Sequence, residues 1–365
     1  MNPIRKKLFN PLHFFFMLLA FIGCSLEERE LLVFAYEYVY QDMPGEAFVA
    51  IPFSDSTIAV AGYTDSAGSS IAFFARFSID GEMKWRVDPL NGKKGSILGG
   101  IKSSDGTVIL TGEIEGSTGD KDIVVLKTTY EGEVLWLKTW DSTLADKGLA
   151  VKEAEDGKIH VLGLAQNFKL VILILDGQGN EIHVNWTELV GHNNCRSIIP
   201  RNGGAGYVVA ESGEWMSTFS YNGTGQINLL RQSRRGAKAS SAADIGGGLF
   251  AYVGNSSNGS FLSYVNPIAF SEATVIVDDI HSVLNSVYSN KDGSIDVVGN
   301  NGDELFVKSY DKNRMLLKSF FYGKSEIVFS ARVMTSITGN EKIFVGSATT
   351  TNTLNKYVLI LKSLE

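Results

Sequence analysis

Histidine, cysteine and acidic residues show few spacings in this chain that could support catalysis. The five histidines form no His-x-His or His-Glu-x-x-His pair, and there is no Gly-x-Ser-x-Gly elbow, P-loop or dinucleotide fingerprint. Cys195 follows His192 by three residues, but no third group is placed to orient the pair, so a packed thiol is the better interpretation. The sequence therefore predicts no catalytic residue and no cofactor.

One acidic pair, Asp120 and Asp122, has a spacing that occurs in calcium sites. A single Asp-x-Asp lacks the remaining oxygen ligands of a complete shell, whereas aspartates in turns often cap the backbone. Turn capping is therefore favoured, and no metal site is predicted.

A cluster of cations stands out against an acidic background. Arg231 and three further cations fall within eight residues, on a segment predicted to connect two repeats. Trp215 lies on a loop predicted at the same rim, and His192 and Arg196 lead into the strand between them. Such a basic pocket with an aromatic side chain would suit an acidic sugar or a carboxylate-bearing partner, while a solvated basic loop is the alternative. The candidate ligand-binding rim comprises His192, Arg196, Trp215, Arg234, Arg235 and Lys238.

The N-terminus has the pattern of a signal peptide over residues 1–23. Three cations, Arg5 to Lys7, precede an apolar stretch from Leu12 to Gly23, which is shorter than the roughly 20 apolar residues of a membrane-spanning helix. Its removal takes three basic and no acidic residues, which leaves 30 basic against 40 acidic residues. This acidic balance argues against nucleic acid as a partner.

The end of this segment, Ala20 to Cys24, resembles the lipobox of bacterial lipoproteins, with Phe21 where that family prefers Leu. The resemblance implies that Cys24 is acylated and that its lipid ties the protein to a membrane. An ordinary secretory signal is the alternative. The acidic tether 24–30 resembles the surface-export signal of Bacteroidetes-type lipoproteins, which implies the outer membrane and exposure at the cell surface. A periplasm-facing position and a plain solvated charge run remain open.

Internal repetition determines the predicted fold. An apolar run ends in Gly, or once in Ala, at intervals of 44 to 51 residues, and the seven anchor residues are Gly62, Gly112, Gly163, Ala210, Gly254, Gly299 and Gly346. Each repeat reads as four short strands joined by turns. Small residues recur in the first strand of each repeat, where a crowded axis would need them: Gly99, Ala150, Ser197, Ala242 and Ser286.

These repeats predict an all-β fold, a seven-bladed β-propeller of four-stranded antiparallel blades, as one domain over residues 31–365. Apolar runs such as Leu170–Leu175 have no polar alternation, so both faces of each sheet must be covered by neighbours. The last repeat stops at its third strand, and the segment Leu31–Tyr40 is a strand without a repeat of its own. We therefore expect the N-terminal strand to close the ring; six or eight blades are the alternatives.

The unit Gly119–Trp140 resembles a propeller repeat of Bacteroidetes-type surface lipoproteins, in which Gly-Asp-x-Asp opens the third strand and Gly-x-x-x-Trp spans the next turn. The resemblance implies fold and location. With no reactive constellation, a monomeric non-enzymatic binding or scaffold module for glycan or envelope-protein partners is the favoured function. The alternative is a glycan hydrolase or lyase with two carboxylates about 5 to 10 Å apart at the channel mouth.

Overall fold

The structure is a computed structural model that describes residues 30–31, 34–66, 68–166, 168–188, 195–212, 214–224, 226–269, 271–278, 281–323, 327–336, 341–351 and 355–363. The predicted signal peptide, the predicted lipidation site Cys24 and the predicted rim residue His192 lie outside these ranges.

The described residues form 28 β-strands and one short 3₁₀ turn, Asn202–Gly204. No helix among them is long and apolar enough to cross a membrane. The strands are β1 Glu30–Leu31, β2 Phe34–Pro52, β3 Thr57–Ser66, β4 Ser69–Ser78, β5 Met83–Val87, β6 Gly95–Lys102, β7 Val108–Glu115, β8 Lys121–Thr128, β9 Val134–Trp140, β10 Asp146–Glu153, β11 Ile159–Ala165, β12 Lys169–Leu175, β13 Glu181–Glu188, β14 Cys195–Arg201, β15 Ala205–Ser212, β16 Trp215–Tyr221, β17 Ile227–Arg235, β18 Lys238–Gly246, β19 Leu249–Ser256, β20 Gly259–Asn266, β21 Ser271–Asp278, β22 Ser282–Ser289, β23 Ile295–Asn301, β24 Glu304–Tyr310, β25 Leu316–Tyr322, β26 Ile327–Ser336, β27 Lys342–Thr350 and β28 Lys356–Ser363.

Six sheets arise by hydrogen bonding among the described residues. Four are antiparallel meanders of four strands: β6–β9, β10–β13, β14–β17 and β18–β21. A fifth joins β22–β25 and carries β1 as a parallel strand at its edge, and the sixth has seven strands in the order β26-β27-β28-β2-β3-β4-β5. The all-β propeller fold that the sequence predicts is confirmed, while the number of blades stays a prediction.

Strand β2 closes the ring. Its first part, from Phe34 to Tyr40, pairs antiparallel with β28, and its second part, from Gly45 to Pro52, pairs with β3. The pairing is interrupted between Tyr40 and Pro44, so the seven-stranded sheet divides there into two sets of four strands that share β2. The predicted closure by the N-terminal strand is confirmed, and it leaves no open edge between the first and last repeats.

Packing between neighbouring sheets explains the uninterrupted apolar runs. Every residue of β11 is buried, and one hydrophobic cluster joins Ile109 and Ile123 of one sheet to Val161 and Val171 of the next. Each large side chain buried in this way contributes about 1.5–3 kcal/mol. Both faces of the central strands are therefore covered, as a radial arrangement requires.

The Gly-x-x-x-Trp motif acts between sheets rather than within one. A Cβ added at Gly132 would come within 3.0 Å of the Trp85 ring, and one at Gly179 within 2.9 Å of Trp136, so each turn glycine packs against an aromatic residue of the preceding sheet. Both glycines also have positive φ, at 91° and 79°. The motif thus fixes the outer edge of one sheet against the turn of the next.

Candidate functional site

A β-bulge recurs at the same place in the first strand of every four-stranded set. We call these seven strands the inner strands: the second part of β2, β6, β10, β14, β18, β22 and β26, which contact one another in a closed cycle. In each, one residue is skipped at this place in the pairing with the second strand, and β18 has a second register shift between Asp244 and Gly246. The skipped residues, which we call the bulge ring, are Phe48, Leu98, Leu149, Arg196, Ser240, Asn285 and Arg332.

The anchor glycines of the repeat make room for these bulges. Each anchor pairs with the residue just before the bulge, for example Gly112 with Ile97. A Cβ on Gly112 would lie 1.8 Å from the Ser96 carbonyl oxygen, and one on Gly346 would lie 1.9 Å from the carbonyl oxygen of Ser330. The glycines are therefore needed because a bulged backbone approaches them closely, rather than to end a strand.

The bulge ring faces a central cavity of about 970 Å³ that the inner strands enclose. The six members whose side chains the structure describes all line this cavity and are half-buried. Three consecutive members, Phe48, Leu98 and Leu149, are apolar. On the opposite arc, Ser240, Asn285 and Arg332 are polar, so at the level of the ring the described side chains divide into an apolar half and a polar half.

Residues immediately after the anchor position support members of the ring. The ring centroids of Tyr63 and Phe48 stack 6.1 Å apart. Asn255 Nδ2 donates to Ser240 Oγ at 3.2 Å, and its side chain also bonds the backbone of Leu284 in the next inner strand. Such contacts fix side chains that would otherwise move in the cavity.

Asn285 has the corresponding partner in its own sheet. Its Nδ2 donates to Asn300 Oδ1 at 3.0 Å, and Asn300 in turn donates to the carbonyl oxygen of Phe329 on the following inner strand. The polar half of the ring is thereby held by a chain of amide contacts that runs from sheet to sheet.

A buried carboxylate lies beside the last member of the ring. Arg332 Nε donates to Glu46 Oε1 at 2.6 Å, and the ammonium group of Lys356 binds the other carboxylate oxygen. Glu46 is 3% exposed, so its charge needs these partners. Two cations share one anion, which leaves a net positive charge at this point of the channel.

The opposite end of the cavity carries charged side chains, of which Glu153, Arg201 and Asp244 have hydrogen-bond or ion-pair partners. Glu153 accepts hydrogen bonds from Ser103 Oγ at 3.1 Å and from the Ser104 backbone N–H at 2.7 Å. Arg201 binds Asp244 at 2.5 Å. Although water can reach Lys152, the surrounding protein desolvates its amine and lowers the pKa of this group.

The basic cluster predicted at the rim lies in strands rather than on a connection. Arg231, Arg234 and Arg235 belong to the outer strand β17, and Lys238, which is exposed, begins β18. Trp215, 38% exposed, pairs across the sheet with Arg235, so the predicted proximity of these two residues is present. The difference arises because the connection shortens to Gly236 and Ala237.

Two of these cations turn toward the next sheet. The guanidinium carbon of Arg234 lies 4.5 Å from the centre of the Phe261 ring. Arg231 Nε lies 3.3 Å from the buried carboxylate of Glu272. Both arginines therefore contribute to packing between sheets.

Arg196 is separated from the other rim residues. Its backbone forms the bulge of β14, the inner strand, while Arg234 and Arg235 lie on β17, three strand spacings or about 14 Å away within the sheet. The rim residues thus divide between the channel wall and the outer edge.

The bulge ring was missed in the sequence, although each member stands 14 positions before its anchor, as Phe48 does before Gly62.

Three aspartates form an acidic group on the loops between β7 and β10. Asp120, Asp122 and Asp141 each offer a carboxylate oxygen within 4.8 Å of the others, an arrangement that could accept a cation. Burial first, and then the charges of Asp141 and Asp120, raise the pKa of Asp122. Thr118 Oγ1 donates to Asp120, a contact between side chains, so capping of the backbone by these aspartates stays a prediction.

Comparison with known proteins establishes the fold alone. No protein-family model matches the chain, and no curated protein sequence matches it either. Virginiamycin B lyase from Staphylococcus aureus has a TM-score of 0.61 at 11% identity, covering 90% of this chain and 99% of the lyase. A streptogramin B lyase has a TM-score of 0.62 at 12% identity, covering 90% of this chain and 97% of its own. The Dos1 propeller has a TM-score of 0.56 at 10% identity, with 91% and 96% covered. This chain is therefore similar to β-propellers in fold.

Proposed function

We propose that the protein is a lipid-anchored binding module of the cell envelope, which holds a glycan or protein partner at the end of the channel that carries the bulge ring. One observation supports this most: at one level of the cavity, the six described members of the bulge ring present side chains of different chemistry. Backbone hydrogen bonds build the bulges, so the scaffold does not depend on which side chains they carry. A rigid ring with a variable lining is suited to recognition.

The basic rim belongs to the same proposed face. Lys238 precedes the ring residue Ser240 by two positions in β18, and Gly236 N donates to the carbonyl oxygen of Glu214 in the loop before Trp215. The start of the inner strands and this rim therefore lie at one end of the propeller. We propose that the ring recognises the partner and that Trp215, Arg235 and Lys238 extend the contact outward.

Membrane attachment is the second part of the proposal. The lipobox-like sequence ending at Cys24 would supply the lipid, and the acidic balance of the mature chain favours a monomeric body held above the membrane by that lipid. We propose the outer membrane, with the body exposed at the cell surface. Cys24→Ala should abolish labelling by radioactive palmitate. Protease treatment of intact cells should digest the protein, whereas protection until the cells are opened would place it in the periplasm.

Binding is favoured over glycan hydrolysis by the state of the channel carboxylates. A general acid needs a carboxyl group that reaches the substrate, but Glu153 is held by Ser103 and Ser104, and Asp244 is paired with Arg201. The third carboxylate that lines the cavity, Glu155, accepts a hydrogen bond from Asn202 Nδ2 at 3.1 Å. Release of reducing ends from any polysaccharide by the purified protein, lost on changing Glu153 to Gln, would overturn the binding proposal.

Capture of a partner tests the proposed face directly. The mature chain carrying Cys24→Ala is applied to a glycan array and to solubilised envelope fractions, beside a ring variant, Asn285→Ala, and a rim variant, Trp215→Ala with Lys238→Ala. We expect the ring variant to weaken capture most. A matched control, Arg201→Gln at the other end of the cavity, should leave capture unchanged. Equal loss in the control and the ring variant would contradict the assignment of the face.

A further inference from the structure

The two halves of the bulge ring meet at Arg332 and Phe48. These residues lie on neighbouring inner strands because the ring closes between β26 and β2, and Glu46, two positions before Phe48, binds Arg332. A cationic group and an aromatic ring are thus adjacent at one level of the cavity. We infer that the ring binds a compact amphipathic anion, whose flat apolar part covers the apolar half while its anionic group bonds Arg332. This inference rests on the proposed function and names its ligand class.

The apolar half provides the surface for the ring system of such a ligand. Phe48, Leu98 and Leu149 are half-buried and face the cavity on three consecutive strands. Covering apolar surface contributes about 25 cal/mol for each Å² removed from water. Phe48 is stacked on Tyr63, so it presents one ring face in a fixed orientation rather than a mobile side chain.

Arg332 provides the anion contact. Its Nε is used by Glu46, and its remaining N–H groups donate to no partner among the residues that the structure describes. Its side chain is 39% exposed, on the side of the cavity. Since Lys356 also binds Glu46, that carboxylate does not cancel the charge of Arg332. A guanidinium group with free N–H donors suits a carboxylate or sulfonate, which accept two parallel hydrogen bonds.

The size and polarity of the cavity limit the ligand further. About 970 Å³ is within the range of sites that hold small molecules. Ser240 and Asn285 add hydrogen-bonding groups opposite the apolar half, and both are already oriented by neighbouring amides. At the level of the ring, a uniform polyanion would find no complement for its charge beside Phe48, Leu98 and Leu149, whereas an aromatic carboxylate would satisfy both halves.

Titration with 2-naphthoate and 2-naphthol tests the inference, because the two probes share an apolar ring system and differ in the anion. The mature chain with Cys24→Ala is titrated with each probe by isothermal calorimetry. We expect one saturable 2-naphthoate site per chain, weakened at least about 10-fold by Arg332→Gln, while 2-naphthol binding changes little. Phe48→Ala should weaken both probes. Arg201→Gln, which removes an arginine from the other end of the cavity, is the matched control and should affect neither.

A second variant protects the test against misfolding of Arg332→Gln, since Glu46 would lose a partner. Asn285→Asp adds an anion to the ring without removing that ion pair, and it should weaken 2-naphthoate but not 2-naphthol. Absence of saturable 2-naphthoate binding, or equal effects of Arg332→Gln and Arg201→Gln, would overturn the inference. If a glycan or envelope protein is nevertheless captured through the ring, the proposed function stands and only the ligand class is wrong.

Discussion

Replacement of Gly112 by Ala tests the explanation of the repeat most directly. The added Cβ would lie 1.8 Å from Ser96 O and 2.9 Å from Ile97 Cα, both backbone atoms of the inner strand β6. An ordinary contact between these atom types needs about 3.3 Å, so the strands must separate by more than 1 Å. No side-chain rotation relieves the clash, because a methyl group has no alternative position.

The expected cost can be built from its parts. Overpacking of this kind costs about 1–3 kcal/mol, and loss of one or two ladder hydrogen bonds beside the bulge adds about 1 kcal/mol each. Reduced flexibility of the unfolded chain offsets about 0.4–1 kcal/mol. We therefore expect Gly112→Ala to lower the free energy of unfolding by about 2–4 kcal/mol, measured by urea denaturation of the mature chain with Cys24→Ala.

Two matched variants separate the clash from the general effect of adding a methyl group. A Cβ on Gly177 would meet no atom within 4 Å, and its φ is not in the left-handed region, so Gly177→Ala should change stability by less than about 0.5 kcal/mol. Ala210 occupies the anchor position of the fourth repeat, where Gly is naturally absent, and Ala210→Gly should cost no more than about 1 kcal/mol. A Gly112→Ala variant as stable as Gly177→Ala would refute the bulge explanation.

Three further predictions concern titration and closure. His160 is fully buried, with Nδ1 2.7 Å from Tyr221 Oη, and burial lowers its pKa to about 4. Its neutral form is favoured in the folded chain, so its contribution to the free energy of unfolding should be fully present above pH 6.5 and fall by about 3 kcal/mol as the pH drops toward 4. His160→Gln should flatten this dependence when denaturation is measured between about pH 4 and 6.5. Because burial, and then the charges of Asp141 and Asp120, raise the pKa of Asp122, its ionised form opposes folding, and Asp122→Asn should raise the melting temperature at pH 7 with a gain that vanishes at acid pH. Deletion of residues 31–40 should speed hydrogen exchange in every sheet, and acceleration confined to β26–β28 would contradict closure of the ring through β2.

The sequence was sufficient for the strands and for the way the ring closes. Seven apolar runs ending at anchor residues fall within the second strand of each set, because an interior strand covered on both faces needs no polar alternation. The observed pairing of β2 with β28 agrees with the predicted closure by the N-terminal strand. Local patterns are sufficient here because the turn-forming residues and the runs of buried residues are close together in the sequence.

The site could not be predicted in the same way. A bulge is defined by pairing between two strands, so the residue it displaces carries no characteristic type: Phe48, Ser240 and Arg332 occupy the same position. The basic cluster at 231–238 attracted attention because its charges are consecutive in sequence. In the fold, Arg231 and Arg234 face the next sheet, and the described cation at the level of the bulge ring is Arg332, which has no charged sequence neighbours.

The fixed separation of 14 positions between the bulge and the anchor connects the repeat in the sequence with the bulge ring in the fold. It exists because the hairpin between the first and second strands has one length in all repeats, so the anchor residue always pairs with the residue just before the bulge. Backbone contacts maintain the scaffold, so the spacing is constant. The side chains at the bulges are not needed for the scaffold, so their chemistry can vary and can serve to bind a ligand. In this chain the variation is not scattered around the ring, since apolar members are consecutive and polar members are consecutive. This grouping is explained better by one ligand that has an apolar and a polar face than by unrelated substitutions at the ring positions.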